Sequence, residues 1–336
     1  MSSTIWYDIN KTLTYNALFH FIVGARSTGK TYGFKKWAIE SFLKTGKQFI
    51  YVRRYEPDMQ ESRRTFFAAL LSAFPDHEFK TEGNRFLIDG KIAGFAIVLS
   101  KAASIKSVDY PEVDKICYDE FLITDTTHHY MRDEVQMFLE LYQTIDRFRD
   151  TTRVFFLANA STVSNPYFIY FNLNLPRSKN GISCKNHILV ELVSTPELTE
   201  KRKKSKLGSI IAGSEYERYS MDNEFIGDDF SFIEKKTENS KPFFNIYYRG
   251  VTYGIWGDLK AGRYTVSLDT CDRITYTMSL KDHSPNTMLI SSLRNAENFR
   301  AFIENVKIGN VFYESLKIKN ALYEIYKVVA NVRGRL

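Results

Sequence analysis

An eight-residue run, Gly24-Ala25-Arg26-Ser27-Thr28-Gly29-Lys30-Thr31, constrains this chain more than any other stretch of its sequence. It fits the pattern GxxxxGK[ST] and lies between an apolar run, Leu18 to Val23, and a segment with helical apolar spacing at Phe34, Trp37, Ala38 and Phe42. Strand, glycine-rich turn and helix in that order aim successive backbone N–H groups and the positive end of a helix at one point, which makes an anion site. All eight residues are therefore expected to hold ATP, with the Lys30 ammonium on the β- and γ-oxygens and the Thr31 hydroxyl on Mg²⁺. The bland reading, a turn that merely starts a helix, gives no reason for a lysine and a threonine at those two places.

A phosphate loop of this kind sits on a parallel sheet with helices on its faces, and the first half of the chain supplies the alternation. After the strand at Leu18–Val23, a helix is expected over Thr31–Lys44 with Gly46 as its stop, then a strand over Gln48–Arg53. A helix near Asp58–Ala73 ends before Pro75. Two extended runs between Glu78 and Ser100, joined at Asp89-Gly90, read as a hairpin inserted in the parallel pattern. Lys115–Tyr118, Arg153–Ala158 and His187–Val193 read as buried strands, with a helix over Asp133–Phe148 between the first two.

Asp119 and Glu120 follow the apolar strand Ile116-Cys117-Tyr118, so their carboxylates emerge at the sheet edge that carries the phosphate loop. Asp119 is expected in the Mg²⁺ shell, and Glu120 as the base that orients the attacking water. A pair of surface acids is the plain alternative. Asn159, with Ser161 just behind it, ends the strand Val154–Ala158 at the same edge and can bond that water, or be only a turn residue. Arg147, Arg149 and Arg153 cluster between a helix end and a strand start. One of them is a candidate arginine finger, and cations offsetting a helix dipole are the commoner case. His128-His129 lack a second pair of metal ligands and read as loop residues. Asp229, Asp258, Asp269 and Asp272 have no diagnostic spacing, which argues against a metal nuclease.

Beyond residue 198 the composition changes. Glu200-Lys201-Arg202-Lys203-Lys204-Ser205-Lys206 is a charge run, most simply a solvated face, and Thr199–Gly227 reads as a connecting segment. Alternating strand-like segments follow at Phe230–Lys235, Phe243–Tyr248, Val251–Trp256, Arg263–Leu268 and Thr275–Leu280, with helical patterns at Arg294–Val306 and Val311–Val329. The net charge is +7 over 336 residues, five of those charges falling in residues 199–336, which permits nucleic-acid binding. With no apolar stretch of 18 residues and no secretory start, a soluble cytoplasmic protein without a membrane partner is expected, and Cys117, Cys184 and Cys271 read as ordinary thiols.

The runs FIVGARSTGKTY, QFIYVRRYEPDM, AFPDHEF, IDGKIAGFAIVLS, DEF, NPYFIYFNL and FIGD, in this order, resemble the DNA-packaging ATPases, or encapsidation proteins, of phi-29-like tailed phages. The resemblance implies an α/β, ASCE-type P-loop NTPase domain over residues 1–198, a small linker domain over 199–227 and an α+β domain over 228–336 resembling an RNase H-like nuclease without its site. It implies a homomeric ring, pentameric in the family, docked on the portal of a prohead in the host cytoplasm, pumping double-stranded DNA. A structural packaging RNA serves such rings. By position, the phosphate-loop lysine falls on Lys30, the Walker B acids on Asp119 and Glu120, and the trans-acting finger on Arg147. The DNA-gripping loops fall after Arg53-Arg54 and around Lys106. A family lysine of the first loop is Glu56 here, leaving Arg53, Arg54 and Lys101 as substitutes. A helicase-like ATPase and a nucleotide-gated DNA-binding assembly protein are the alternatives, and Glu120 argues against the second. A small-molecule kinase is a third, without an identifiable acceptor pocket or lid.

Overall fold

The computed structural model describes residues 7–105, 107–123, 130–131, 133–159, 165–171, 173–176, 181–212, 232–248, 250–277, 287–289 and 296–333. Lys106, His128, His129, Ser161 and Asp229 lie outside the described residues. Two compact units emerge: Met1–Leu122, Gln136–Ser161 and Leu175–Ile226 form the first, and Ile123–Val135, Thr162–Asn174 and Gly227–Leu336 the second.

Among the described residues, nine strands make the sheet of the first unit: β1 (Phe19–Gly24), β2 (Gln48–Arg53), β3 (Phe79–Glu82), β4 (Arg85–Ile88), β5 (Lys91–Val98), β6 (Val113–Asp119), β7 (Arg153–Asn159), β8 (Ile182–Lys185) and β9 (Ile188–Val193). Their order is β3-β4-β5-β2-β6-β7-β1-β9-β8, the six strands from β5 to β9 parallel and the outer pairs antiparallel. Every residue of β1 is buried, as expected of a parallel strand covered on both faces. On one face lies α2 (Lys30–Thr45), which follows the short α1 (Asn10–Leu13); Phe34, Ala38 and Ile39 of α2 are buried and Trp37 meets Phe155 edge-on at 5.2 Å. Gly46 closes α2 in the left-handed region, φ 74°.

Three expectations for this unit change. The helix expected to reach Ala73 is α3 (Glu56–Arg64), followed by turns and one 3₁₀ turn at Leu71–Ala73. Adjacent Phe66 and Phe67 both pack on the hairpin strands, Phe66 on Phe86 at 4.0 Å and Phe67 on Phe79 at 4.7 Å. A continuing helix would point them about 100° apart. The hairpin turn at Asp89-Gly90 forms, with φ 50° and 74°, yet β5 also pairs in parallel with β2, so the insertion is part of the sheet. On the far edge β8 turns into β9 through left-handed Asn186 and His187, a hairpin without an Asn-Gly or Asp-Gly signal. The helix expected to run to Phe148 is α4 (Glu134–Asp146). Among the described residues two helices follow β9 in this unit, α6 (Pro196–Lys203) and α7 (Lys206–Ile211), after α5 (Pro166–Tyr170) of the second unit.

The second unit has β10 (Lys241–Tyr248), β11 (Val251–Asp258), β12 (Arg263–Ser267), β13 (Thr275–Thr277), β14 (Thr287–Leu289) and β15 (Val311–Tyr313), ordered β14-β13-β10-β11-β12-β15, with helices α8 (Glu297–Lys307) and α9 (Leu316–Arg333). An antiparallel meander, β10–β11–β12, thus gains parallel strands on both sides, in keeping with a helix-backed α+β sheet. Val311–Tyr313 begins no helix: it pairs with β12, and Tyr313 donates its buried hydroxyl proton to Tyr326 at 3.0 Å. Phe230–Lys235 contributes only one bridge, Ile233 to Tyr313, among its described residues. Among the described residues no helix is long and apolar enough to cross a membrane.

One core residue of the sheet gives a pH signature. His20 is fully buried on β1, stacked on Phe155 at 4.6 Å, with Nε2 2.9 Å from the Ala17 carbonyl. Burial, aided by the Arg153 charge and opposed by the Ala17 bond, pushes its pKa down to about 4. The unfolded chain protonates near pH 6.5, so stability is full above that pH and is lost as pH falls toward 4, by about 3 kcal/mol in total. Denaturant titrations at several pH values between 7 and 4 are expected to show a flatter profile for His20→Gln; equal slopes would exonerate His20.

Candidate functional site

Because β1, β2, β6 and β7 are parallel, their C-terminal ends bring Gly24, Arg53, Asp119 and Asn159 to one edge. Gly24 and Asn159 are register partners across β1 and β7. Ser27, Lys30, Thr31, Asp119, Glu120 and Asn159 line a single cleft of about 250 Å³. The loop's two glycines have different causes. A Cβ on Gly24 would lie 2.4 Å from the Val193 carbonyl oxygen of β9, whereas Gly29 is needed for its left-handed φ of 89° as the residue that starts α2. Tyr7 braces the loop from behind: its N–H donates to the Thr28 carbonyl at 3.0 Å and its hydroxyl to the Glu191 carboxylate at 2.9 Å.

Lys30 is buried and donates to the Gly24 carbonyl (3.0 Å), the Ala25 carbonyl (2.7 Å) and Thr28 Oγ1 (3.2 Å). These partners are all neutral, and burial pushes the ammonium's pKa down to about 7, with Asp119 opposing and Arg202 adding to the shift. A buried cation held only by dipoles fits a site whose counter-charge arrives with a phosphate. Thr31 donates to Asp119 at 3.1 Å to Oδ1 and 3.2 Å to Oδ2, the arrangement of a hydroxyl and a carboxylate that share one cation shell. Hard oxygens from Thr31 and Asp119 suit Mg²⁺, which keeps most of its waters.

The second carboxylate is held differently. Glu120 stands in the left-handed region at φ 55°, its side chain 56% exposed, and Arg53 grips its Oε2 at 2.6 Å. The same guanidinium is 3.8 Å from Asp119, and Tyr51 donates to Asp119 Oδ2 at 2.5 Å. Burial first, and then the Asp119 charge, push the Tyr51 hydroxyl well above its usual pKa, so it stays a donor. Residues 51 and 53 are two apart on a strand next to β6, so they share a face. That spacing was the available signal for both carboxylate partners, and sequence reasoning missed it. It also missed Arg202 of α6, which donates to the Arg26 carbonyl at 2.7 Å.

The three arginines beyond α4 separate cleanly. Arg149 turns inward and donates to the carbonyls of Asp146, Tyr110, Pro111, Val113 and Ile145. Arg153 donates to Asn16 at 3.0 Å. Arg147 stays at the surface, 51% exposed, paired with the exposed Asp109. All three lie at the start of β7, the opposite edge from the phosphate loop and about 20 Å of strand away.

A family description, the podovirus DNA encapsidation protein (Gp16), matches residues 1–330. The chain belongs to the podovirus DNA encapsidation family. A DNA packaging protein of Bacillus phage PZA is 39% identical over 302 residues, covering 89% of this chain and 90% of the relative. Among solved structures, the bacteriophage phi-29 viral genome packaging motor assembly is 37% identical, covering 97% of this chain and 100% of that one, with a TM-score of 0.59. The N-terminal domain of the DNA packaging ATPase from bacteriophage phi29 is 40% identical, covering 57% of this chain and 98% of that one, TM-score 0.54.

Within this chain the residues expected to grip DNA are placed unequally. Arg53 is spent on the two acids, and Arg54 is buried with its guanidinium on the Glu120 and Phe121 carbonyls at 3.2 and 2.6 Å. Lys101 is 63% exposed and bonds Glu56 at 3.0 Å, while Arg63 holds the other Glu56 oxygen at 2.9 Å. Glu56 therefore does not stand as a bare negative charge. In the second unit Asp258 accepts from Thr237 at 2.5 Å and from the Lys260 and Ala261 amides, and Asp269 holds Lys236 at 2.5 Å. Among the described residues no group of three or more His, Cys, Asp or Glu is placed to hold a metal ion.

Proposed function

We propose that this member of the DNA encapsidation family is the ATP-hydrolysing subunit of a homomeric ring, pentameric as the resemblance implies, that docks at the prohead portal in the host cytoplasm. There it drives double-stranded viral DNA inward, with a packaging RNA as a further partner. The observation that carries the hydrolytic part is the single cleft shared by the phosphate loop, Asp119, Glu120 and Asn159.

In this reading Lys30 leaves its loop carbonyls for the β- and γ-oxygens of ATP, and the loop amides from Ala25 to Thr31 hold the phosphate chain. Thr31 and Asp119 would hold Mg²⁺, which would supply charge neutralisation at the phosphates. Glu120 orients water and accepts its proton, and Asn159 bonds the same water. Arg53 holds one Glu120 oxygen, so that pair opens for Glu120 to bond the water. Arg147 cannot reach its own chain's phosphates from the opposite sheet edge, so it serves a neighbouring chain.

A pump that moves along any sequence grips phosphates and not base edges, through Lys101 and the segment around Lys106. DNA-stimulated ATP hydrolysis, measured with and without empty proheads and between 50 and 200 mM salt, tests the reading. Turnover is expected to rise with DNA, to rise further with proheads, and to fall with salt by at least tenfold where several phosphates are gripped. Hydrolysis indifferent to both DNA and proheads would defeat it; strand separation without proheads would favour a helicase.

A further inference from the structure

The peptide between Arg26 and Ser27, in the middle of the phosphate loop, is constrained from both of its ends. Ser27 is not a glycine, yet it stands in the left-handed region at φ 55°. On the other side the Arg26 carbonyl accepts from the Arg202 guanidinium at 2.7 Å. A trans peptide carries its C=O and its N–H on opposite sides, so a donor that holds the Arg26 oxygen also sets where the Ser27 N–H points. Ser27 lines the phosphate cleft, and Arg202 is not among its described lining residues. The oxygen is thus held from outside the cleft, which turns the N–H inward. Tyr7 acts in the same way two peptides further on: its N–H holds the Thr28 carbonyl at 3.0 Å and so orients the Gly29 N–H.

Arg202 is itself fastened in place. The Ser205 hydroxyl donates to the Arg202 carbonyl at 2.6 Å and accepts from the Gly208 amide at 3.0 Å, which ties α6 to α7. A Cβ on Gly208 would come within 2.2 Å of that same Arg202 oxygen, so the two helices meet where no side chain fits. The guanidinium is therefore presented by a close-packed corner. Its charge also reaches Lys30, where it adds to burial in lowering that ammonium's pKa. Two cations beside one loop repel each other, and an arriving polyanion relieves both. We infer that Arg202 is a positioning residue of the nucleotide site: from α6 it holds the Arg26 carbonyl and so presets the Ser27 N–H toward the triphosphate. The inference rests on residues 24–31 being a triphosphate site and deepens that reading, because it names the side chain that aims one of the loop's amides. Without Arg202 the left-handed Ser27 peptide loses its outer anchor, and its amide must be ordered at the moment of binding.

The test compares Arg202→Met, which keeps the stem without a donor, with Lys204→Met, which removes the same charge from the exposed end of α6. Equilibrium binding of a fluorescent ATP analogue, of ADP and of pyrophosphate is measured on the full-length protein, beside steady-state kinetics and the melting temperature without ligand. Arg202→Met is expected to weaken all three ligands about tenfold, the size of one lost charge-assisted hydrogen bond. KM should rise by the same factor with kcat within about threefold, as for an interaction made equally in ground and transition states. The melting temperature should stay within about 2 °C of the wild type, and Lys204→Met should bind within about twofold of it. Wild-type affinity in Arg202→Met overturns the inference and leaves the nucleotide site standing, whereas a wild-type chain that binds none of the three ligands removes the site and the inference together. An equal loss in Lys204→Met overturns it in favour of net charge, and a fall in kcat with unchanged KM in favour of a part in the chemistry. A melting temperature several degrees lower in Arg202→Met also overturns it, since the guanidinium would then be holding the fold.

Discussion

Glu120→Gln is expected to slow steady-state ATP hydrolysis by about 10²–10⁴-fold while leaving nucleotide binding within a few-fold of the wild type. Glutamine keeps the shape and can still bond water, but it cannot take the proton, and that loss is about 3–5 kcal/mol of barrier. The structure sharpens the expectation. Glu120 is fixed by a left-handed backbone and tied to Arg53 at 2.6 Å, so the substitution removes one charge without touching the hydrogen-bonded Thr31–Asp119 pair. Equilibrium binding of a fluorescent ATP analogue, read beside turnover, separates the two effects. Lys30→Ala should instead lose both, because Lys30 is the loop's only side-chain ammonium. Hydrolysis retained in Glu120→Gln would mean that water is activated from elsewhere and would remove the assigned base.

Arg147→Ala carries the second large effect, a fall of about 10³–10⁵-fold in turnover, the range over which arginine fingers act. The decisive form is a mixture. Chains carrying Arg147→Ala retain Lys30, and chains carrying Lys30→Ala retain Arg147. In a head-to-tail ring each functional site takes one chain of each kind in one order, so equal mixing should restore about a quarter of the sites. Turnover absent at every ratio, with assembly intact, would end the assignment across chains. Arg149 and Arg153 make unsuitable controls for chemistry. Arg149 holds five carbonyls, so its loss should appear first as a drop in stability.

The elements that were legible in the sequence are those with a local cause. Phe34, Trp37 and Ala38 give α2 its stripe, Gly46 ends it, and Asp89-Gly90 turns the hairpin, each through the conformational limits of a few neighbouring residues. The misread elements had distant causes. Val311–Tyr313 has an apolar spacing that suits a helix, and only its pairing with β12 makes it a strand. Phe66 and Phe67 leave the helical path because the hairpin strands wait on one side.

The same division holds at the site. Local sequence determined the phosphate loop, the helix that opens from it and the two acids that end a buried strand, because strand, turn and helix there follow from adjacent residues. Tertiary structure alone decided that Val193 forbids a side chain at Gly24, that Tyr51 and Arg53 hold the acids, that Arg202 reaches the loop, and that Arg147 stands where its own phosphate site is out of reach. Those contacts join residues far apart in the chain through strand order, and strand order is fixed by burying the whole sheet at once, which no short window of sequence encodes.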